Sequence, residues 1–149
     1  MPTRDGISDA DWDGVKERAF DLIAHHGDND EGILRDRLLN YLVRLQDKYG
    51  RKPSILAARA DFTVDDVERE RLLIEAFEIA ENGEDDQAML YVAHSMATLY
   101  VEDAWSQSKA AFWLKRLARL SKNKCEQWIA EDLTSLRNRF HSKRNATKS

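Results

Sequence analysis

The chain reads as an all-α protein of antiparallel helical hairpins, six long helices and one short, and three observations predict this. Apolar residues recur at intervals of three and four along almost the whole 149-residue sequence, the period of a helix with one buried face. No segment alternates apolar and polar residues as a half-buried strand does. Proline stands only at positions 2 and 53, and glycines punctuate the ends of the periodic runs, where helices stop.

The elements follow in order. Ser8 is the expected N-cap of a first helix from about Asp9 to His26. Trp12, Val15, Ala19, Leu22 and Ile23 form its apolar stripe and Gly27 is its stop. A second helix spans about Glu31 to Tyr49. It places Leu34, Leu38, Tyr41, Leu42, Leu45 and Tyr49 on one face, with Asp30 as N-cap and Gly50 beyond. Pro53 opens a short helix, where its missing N–H costs nothing, and Phe62 is expected to turn back into the core. Thr63 then reads as the cap of a helix carrying Val67, Leu73, Ala76, Phe77 and Ala80 up to Gly83. The run from 88 to 101, "AMLYVAHSMATLYV", is apolar nearly all round and should be the buried central helix. Two more helices are expected at about 105–120 (Ala110, Trp113, Leu114, Leu117) and 123–140 (Cys125, Ile129, Leu133, Leu136, Phe140). Residues 1–140 thus form a single domain. The tail from 141 to 149, "HSKRNATKS", has nothing apolar to bury and is expected to be disordered.

The last four long helices begin near 64, 85, 104 and 123, a rhythm of paired helices with short connectors. The stretch "IEAFEIAENGEDDQAMLYVAHSMATLYVEDAWSQSKAAFWLKRLARL", roughly residues 74–120, resembles a tetratricopeptide-type unit. Ala93, Ala97, Tyr100 and Ala110 fall near the family's small and aromatic packing positions, while Ala104 stands at its turn glycine. The resemblance implies hairpins stacked as a right-handed α-α layer that binds other proteins on its surfaces.

The formal charge of −4 conceals a division. Residues 1–102 carry 12 basic and 23 acidic side chains, and residues 103–149 carry 11 and 4. Such a dipole suggests charged partners. A single cysteine, Cys125, excludes a disulfide framework and is expected to be an inert thiol on an apolar stripe. The polar, acidic start is neither a signal peptide nor a membrane anchor, so a cytoplasmic location without membrane contact is expected.

Three stretches hold candidate chemistry. Asp9, Asp11, Asp13 and Gly14 spell the opening of a calcium loop, but the twelfth position is Phe20 rather than the required glutamate and the eighth is Lys16. A helix start explains the same letters: a serine cap and first-turn acids beside the positive end of the dipole. Only Gly14 is left over, at a cost of about 1 kcal/mol in a helix interior. His25, His26, Asp28 and Asp30 suggest a metal-dependent hydrolase site. No Glu-x-x-His pair accompanies them, and helix-end histidines with first-turn acids explain the stretch as dipole complements. His94, within a turn of Tyr91 and Thr98, reads as a hydrogen-bonded core residue.

Charge supplies the rest. Lys115, Arg116, Arg119, Lys122 and Lys124, with Arg137, Arg139, Lys143 and Arg144, form a basic third that could contact nucleic acid. Against this, the acidic body repels phosphate, and C-terminal cations also satisfy helix ends. Asp28, Asp30 and Glu31 mark one turn, and Glu81, Glu84, Asp85 and Asp86 mark another; equivalent turns of a hairpin stack would sum into one acidic ridge. The function expected is therefore a non-catalytic protein-interaction module without metal or cofactor. Its partner is a protein with a basic surface, as for a cognate inhibitor or immunity-type protein. Trp12, Trp105 or Trp128 would serve as anchors, and a second copy of the chain is a further candidate partner.

Overall fold

The computed structural model describes residues 6–122 and 127–147, and it is all-helical. Its elements are α1 (Asp9–Ala24), α2 (Glu31–Tyr49), α3 (Pro53–Phe62), α4 (Asp66–Asn82) and α5 (Asp86–Thr98). A π-helical turn (Leu99–Asp103) follows, then α6 (Gln107–Leu120) and α7 (Gln127–Thr147). Each helix packs on the next, and α5 lies at the centre against α3, α4, α6 and α7.

Two apolar cores share one wall. Ile7, Val15, Leu22, Leu38, Leu42 and Leu45 of the N-terminal part close over Ile55 and Ala58 of α3. Leu56 and Ala60, on the other flank of the same helix, join Leu72, Leu73, Phe77, Met96, Leu117, Ile129 and Leu136. This explains why "PSILAARADF" is apolar on so many sides. A helix buried from two directions has no polar stripe to spare.

The short connectors reverse the chain at every step, and side-chain pairs fix the directions. Lys48 at the end of α2 meets Asp11 at the start of α1, 2.8 Å apart. Arg35 near the start of α2 donates to the Phe62 carbonyl at the end of α3, 2.9 Å. Arg69 near the start of α4 meets Asp103 beyond α5 at 2.8 Å.

The opening segment is a helix start. Ser8 Oγ accepts the Asp11 N–H, and the Asp11 carboxylate is held by Lys48 and the Tyr49 hydroxyl. Those two donors, Lys48 foremost, draw its pKa below the ordinary aspartate value. Gly14 now has a reason: a Cβ there would lie 2.6 Å from Tyr41 Cζ, and the Tyr41 hydroxyl donates to the Asp11 carbonyl at 3.0 Å.

Several local expectations are corrected. Asp30 makes no side-chain cap; the Asp28 carboxylate accepts the Asp30 N–H instead, at 2.8 Å. Asp65, not Thr63, caps α4 by accepting from Glu68 N, while Thr63 ends α3 with its hydroxyl on the Arg59 carbonyl. With the start so shifted, Val67 falls on the outer face and is 76 % exposed. Ile23 likewise faces solvent, as does Phe20 one turn earlier.

The expected disordered tail is helical to Thr147. The π-helical turn, closed by Ala104 N–H to the Leu99 carbonyl at 2.7 Å, ends with carbonyls lacking intrahelical partners. Lys143 on α7 donates to one of them, that of Val101, and its ammonium lies 5.7 Å from the Trp105 ring centroid. The guanidinium of Arg144 packs over Phe140. These tertiary contacts, rather than apolar content, carry the last turns of α7. The expectation for Cys125 lies outside the described residues. Among those described, no helix is long and apolar enough to cross a membrane.

Candidate functional site

The α1–α2 turn folds its own acids inward on itself. His25 Nδ1 and Asp28 Oδ2 are 2.8 Å apart, and His26 Nδ1 and Glu31 Oε1 are 3.0 Å apart. Glu31 also takes the Gly27 N–H and pairs with Arg35 at 3.3 Å. These bonds hold the Asp28 carboxyl below its ordinary value, chiefly through the Asp30 N–H, and the Glu31 carboxyl below its own, chiefly through the Gly27 N–H. The Asp28 carboxylate holds the His25 imidazole above the usual histidine range. Ligand-type atoms of His25, Asp28 and Asp30 come within 4.8 Å of one another, on the protein surface; His26 is not among them and turns to Glu31.

The α4–α5 turn is used similarly. Glu81 pairs with Arg116 at 2.5 Å, and Asp85 caps α5 by accepting from Ala88 N at 3.1 Å. Glu84 and Asp86 face solvent, and Glu84 stands at φ +53°. The expected single acidic ridge is corrected by topology. Because α3 adds one chain reversal between them, the α1–α2 and α4–α5 turns open at opposite ends of the helix layer. Three residues of a connector were enough for the short helix to change the parity.

The expected anchors and cations are also redistributed. Trp105 is half-buried against Phe140, with ring centroids 5.7 Å apart, and Trp12 packs on the N-terminal core. Trp128 alone of the three is well exposed, at 47 %. Arg116 is a structural residue: besides Glu81, it lies over the Phe77 ring at 4.6 Å. Lys115 and Arg119 do line the outer face of α6, beside exposed Phe112, and Lys122 is exposed in the turn just past its end. Lys124 lies outside the described residues.

What the sequence did not reveal is the face made by α3, α5 and α7. α5 packs on both α3 and α7, and each of the three carries titratable groups. His94 of α5 is bonded through Nε2 to Asp132 of α7 at 2.5 Å. Its ring meets the edge of Trp128 at 5.1 Å, and Trp128 stacks with Tyr91 at 6.2 Å. Asp61 of α3 lies within electrostatic reach of His94 and of Arg69. Its side chain is exposed, and loss of hydration pushes its carboxyl up to about 6, against the opposing pull of Arg69 and His94.

Two guanidiniums near these helices are each shared between two carboxylates. Arg69 is shared between Asp66 and Asp103, at 3.2 and 2.8 Å. Arg139 is shared between Glu102 and Asp132. Among the described residues Asp61 makes no hydrogen bond or ion pair within 4 Å. The only signal of this face in the sequence was a polar residue, His94, inside the most apolar helix. Its carboxylate partner, Asp132, lies 38 positions away, beyond any helical spacing. No protein-family model, curated protein or solved structure matches the chain.

Proposed function

We propose that the chain is a non-catalytic protein-interaction module, a tetratricopeptide-like right-handed stack of hairpins that works in the cytoplasm and binds a partner with a basic surface. The observation that carries this reading is the face on which His94 of α5 meets Asp132 and the exposed Trp128 of α7. A rigid helical surface that holds carboxylates in excess of their counter-ions attracts cations from solution and gains rate and specificity from doing so. An exposed tryptophan supplies the apolar anchor that charge alone lacks. A small acidic inhibitor of a basic toxin or nuclease, of the immunity type, is the most concrete form of such a module.

The test is affinity capture on the immobilised chain from a nuclease-treated lysate of its own source, at about 150 mM salt, where long-range charge is screened beyond about 8 Å. The reading expects a strongly basic protein retained in stoichiometric amount. Recovery of nucleic acid alone from an untreated lysate, collapsing as salt rises, overturns it.

A second reading is favoured by the α6 strip of Lys115, Arg119 and Lys122 beside Phe112, a set of cations with an aromatic neighbour that suits a nucleic-acid backbone. It predicts that Lys115→Glu with Arg119→Glu abolishes oligonucleotide binding while the fold is kept. Arg116 is unsuitable for that test, because its charge is already spent on Glu81.

A further inference from the structure

We infer that the chain associates with a second copy of itself, the exposed face of α1 on one copy lying antiparallel along the exposed face of α6 on the other. This goes beyond the proposed role of the α5–α7 face and does not depend on it.

Three observations support it. The first is an uncovered apolar surface at the end of the helix layer. α1 packs closely on α2 and on no other described element. Phe20 and Ile23, three residues apart and so neighbours on the helix surface, are 73 % and 67 % exposed. Covering such a pair is an ordinary source of association free energy.

The second observation is charge. Beside the apolar pair runs a row of acids at every fourth position, Asp9, Asp13, Glu17 and Asp21, all exposed. Lys16 is exposed too, but on the Ile23 edge, away from that row. α6 carries the opposite pattern. Phe112, 54 % exposed and held edge-on to Trp113 at 5.3 Å, is followed by exposed Lys115 and Arg119, with Lys122 in the turn beyond. Among the described residues, the side chains of Asp13, Glu17, Asp21, Lys115, Arg119 and Lys122 form no hydrogen bond or ion pair, so both rows are open to a partner.

The third observation is register. Phe20, Glu17 and Asp13, read backwards along α1, share the spacing of three then four with Phe112, Lys115 and Arg119, read forwards along α6. With the helices antiparallel and Phe20 opposite Phe112, Glu17 falls opposite Lys115 and Asp13 opposite Arg119, and Asp9 comes within a residue of Lys122. A parallel arrangement fails, because Phe20 follows its acids whereas Phe112 precedes its cations. One helix laid on one helix buries less than the roughly 1,200 Å² at which stable interfaces begin, so the contact is weak unless it forms twice about a two-fold axis.

The experiment is sedimentation equilibrium of the full chain from about 10 to about 500 µM, in about 50 mM and about 500 mM salt, which screen surface charge slightly and strongly. The average mass is expected to rise above the monomer at high concentration in low salt and to fall back toward it in high salt. Asp13→Lys with Glu17→Lys, and separately Lys115→Glu with Arg119→Glu, each give a monomer. An equimolar mixture of the two variants associates again, because the reversed α1 of one then meets the reversed α6 of the other. Restored association also shows that both variants are folded. Asp13→Asn with Glu17→Gln keeps the side-chain shapes, weakens association about fivefold and replaces a reversal that unfolds the chain. A wild type that stays monomeric at the highest concentration in low salt overturns the inference, whether or not α6 binds an oligonucleotide. So does association that survives both reversals, or a mixture of folded variants that stays monomeric. None of these results bears on the α5–α7 face, whose reading is decided by capture of a basic partner.

Discussion

Gly14 lies beneath the ring of Tyr41: a Cβ at position 14 would approach Tyr41 Cζ to 2.6 Å. An interior helical glycine ordinarily costs about 1 kcal/mol relative to alanine, so replacing it would normally stabilise. Here the sign reverses. Gly14→Ala is expected to destabilise by about 1–3 kcal/mol, as overpacking does in a close-packed contact. Chemical denaturation measures it, and Tyr41→Leu in the same chain should recover most of the loss because the two residues couple directly.

Glu84 occupies the left-handed position that closes α4, at φ +53°, while Gly83 beside it has ordinary negative φ. A side chain in that conformation costs about 1 kcal/mol. Glu84→Gly should therefore raise stability by about that amount, read as a higher denaturation midpoint with an unchanged slope. Gly83→Ala should be close to neutral by comparison, since its backbone is not in the glycine region.

Asp61 gives a pH dependence of unusual sign. Its carboxyl binds protons more tightly in the folded chain than in the unfolded one, the reverse of a paired aspartate. Stability from this group is therefore present below the ordinary aspartate range and is lost as pH rises through about 6. Asp61→Asn is expected to flatten that fall between pH 4 and 6.5 and to stabilise the protein at pH 7. Solvent contact limits the gain to about 1 kcal/mol. Thermal melts across that pH range check it, and a carboxyl NMR titration with a midpoint near the usual aspartate value would contradict it.

Lys143 closes the carbonyl end of the π-helical turn from seventeen residues into α7. Lys143→Ala leaves the Val101 carbonyl without that donor and is expected to cost about 1–2 kcal/mol, the price of an unmade hydrogen bond to a charged group. Truncation after Phe140 should cost at least as much, since Trp105 also loses its covering ammonium. Hydrogen exchange at residues 99–105 should accelerate in both variants.

The fold was legible where local chemistry is strong, and the pattern of successes shows why. Ser8, Pro53 and the α2 stripe announce themselves through caps, fixed φ and a single period, all of which act within one or two helical turns. The role of Gly14 was not legible, because its cause is Tyr41, twenty-seven positions downstream. Val67 and Thr63 were misplaced together: "TVDD" offers two capping residues, and the choice of Asp65 turns the helix so that Val67 faces out. The candidate face was least legible of all. His94 and Asp132 belong to different helices, 38 positions apart, and nothing in the local sequence of either announces the pair. The acidic turns were conspicuous in sequence for the opposite reason, since caps and first-turn acids cluster by rule.

The most direct measurement is an NMR titration of the isotope-labelled chain with an alanine-based decapeptide carrying three arginines, following backbone amides and the Trp128 indole N–H. The account predicts perturbations concentrated at Tyr91, His94, Trp128 and Asp132, with the α1–α2 and α4–α5 turns still. Amides that stay fixed throughout at millimolar peptide, or shifts confined to residues 25–31, would contradict it.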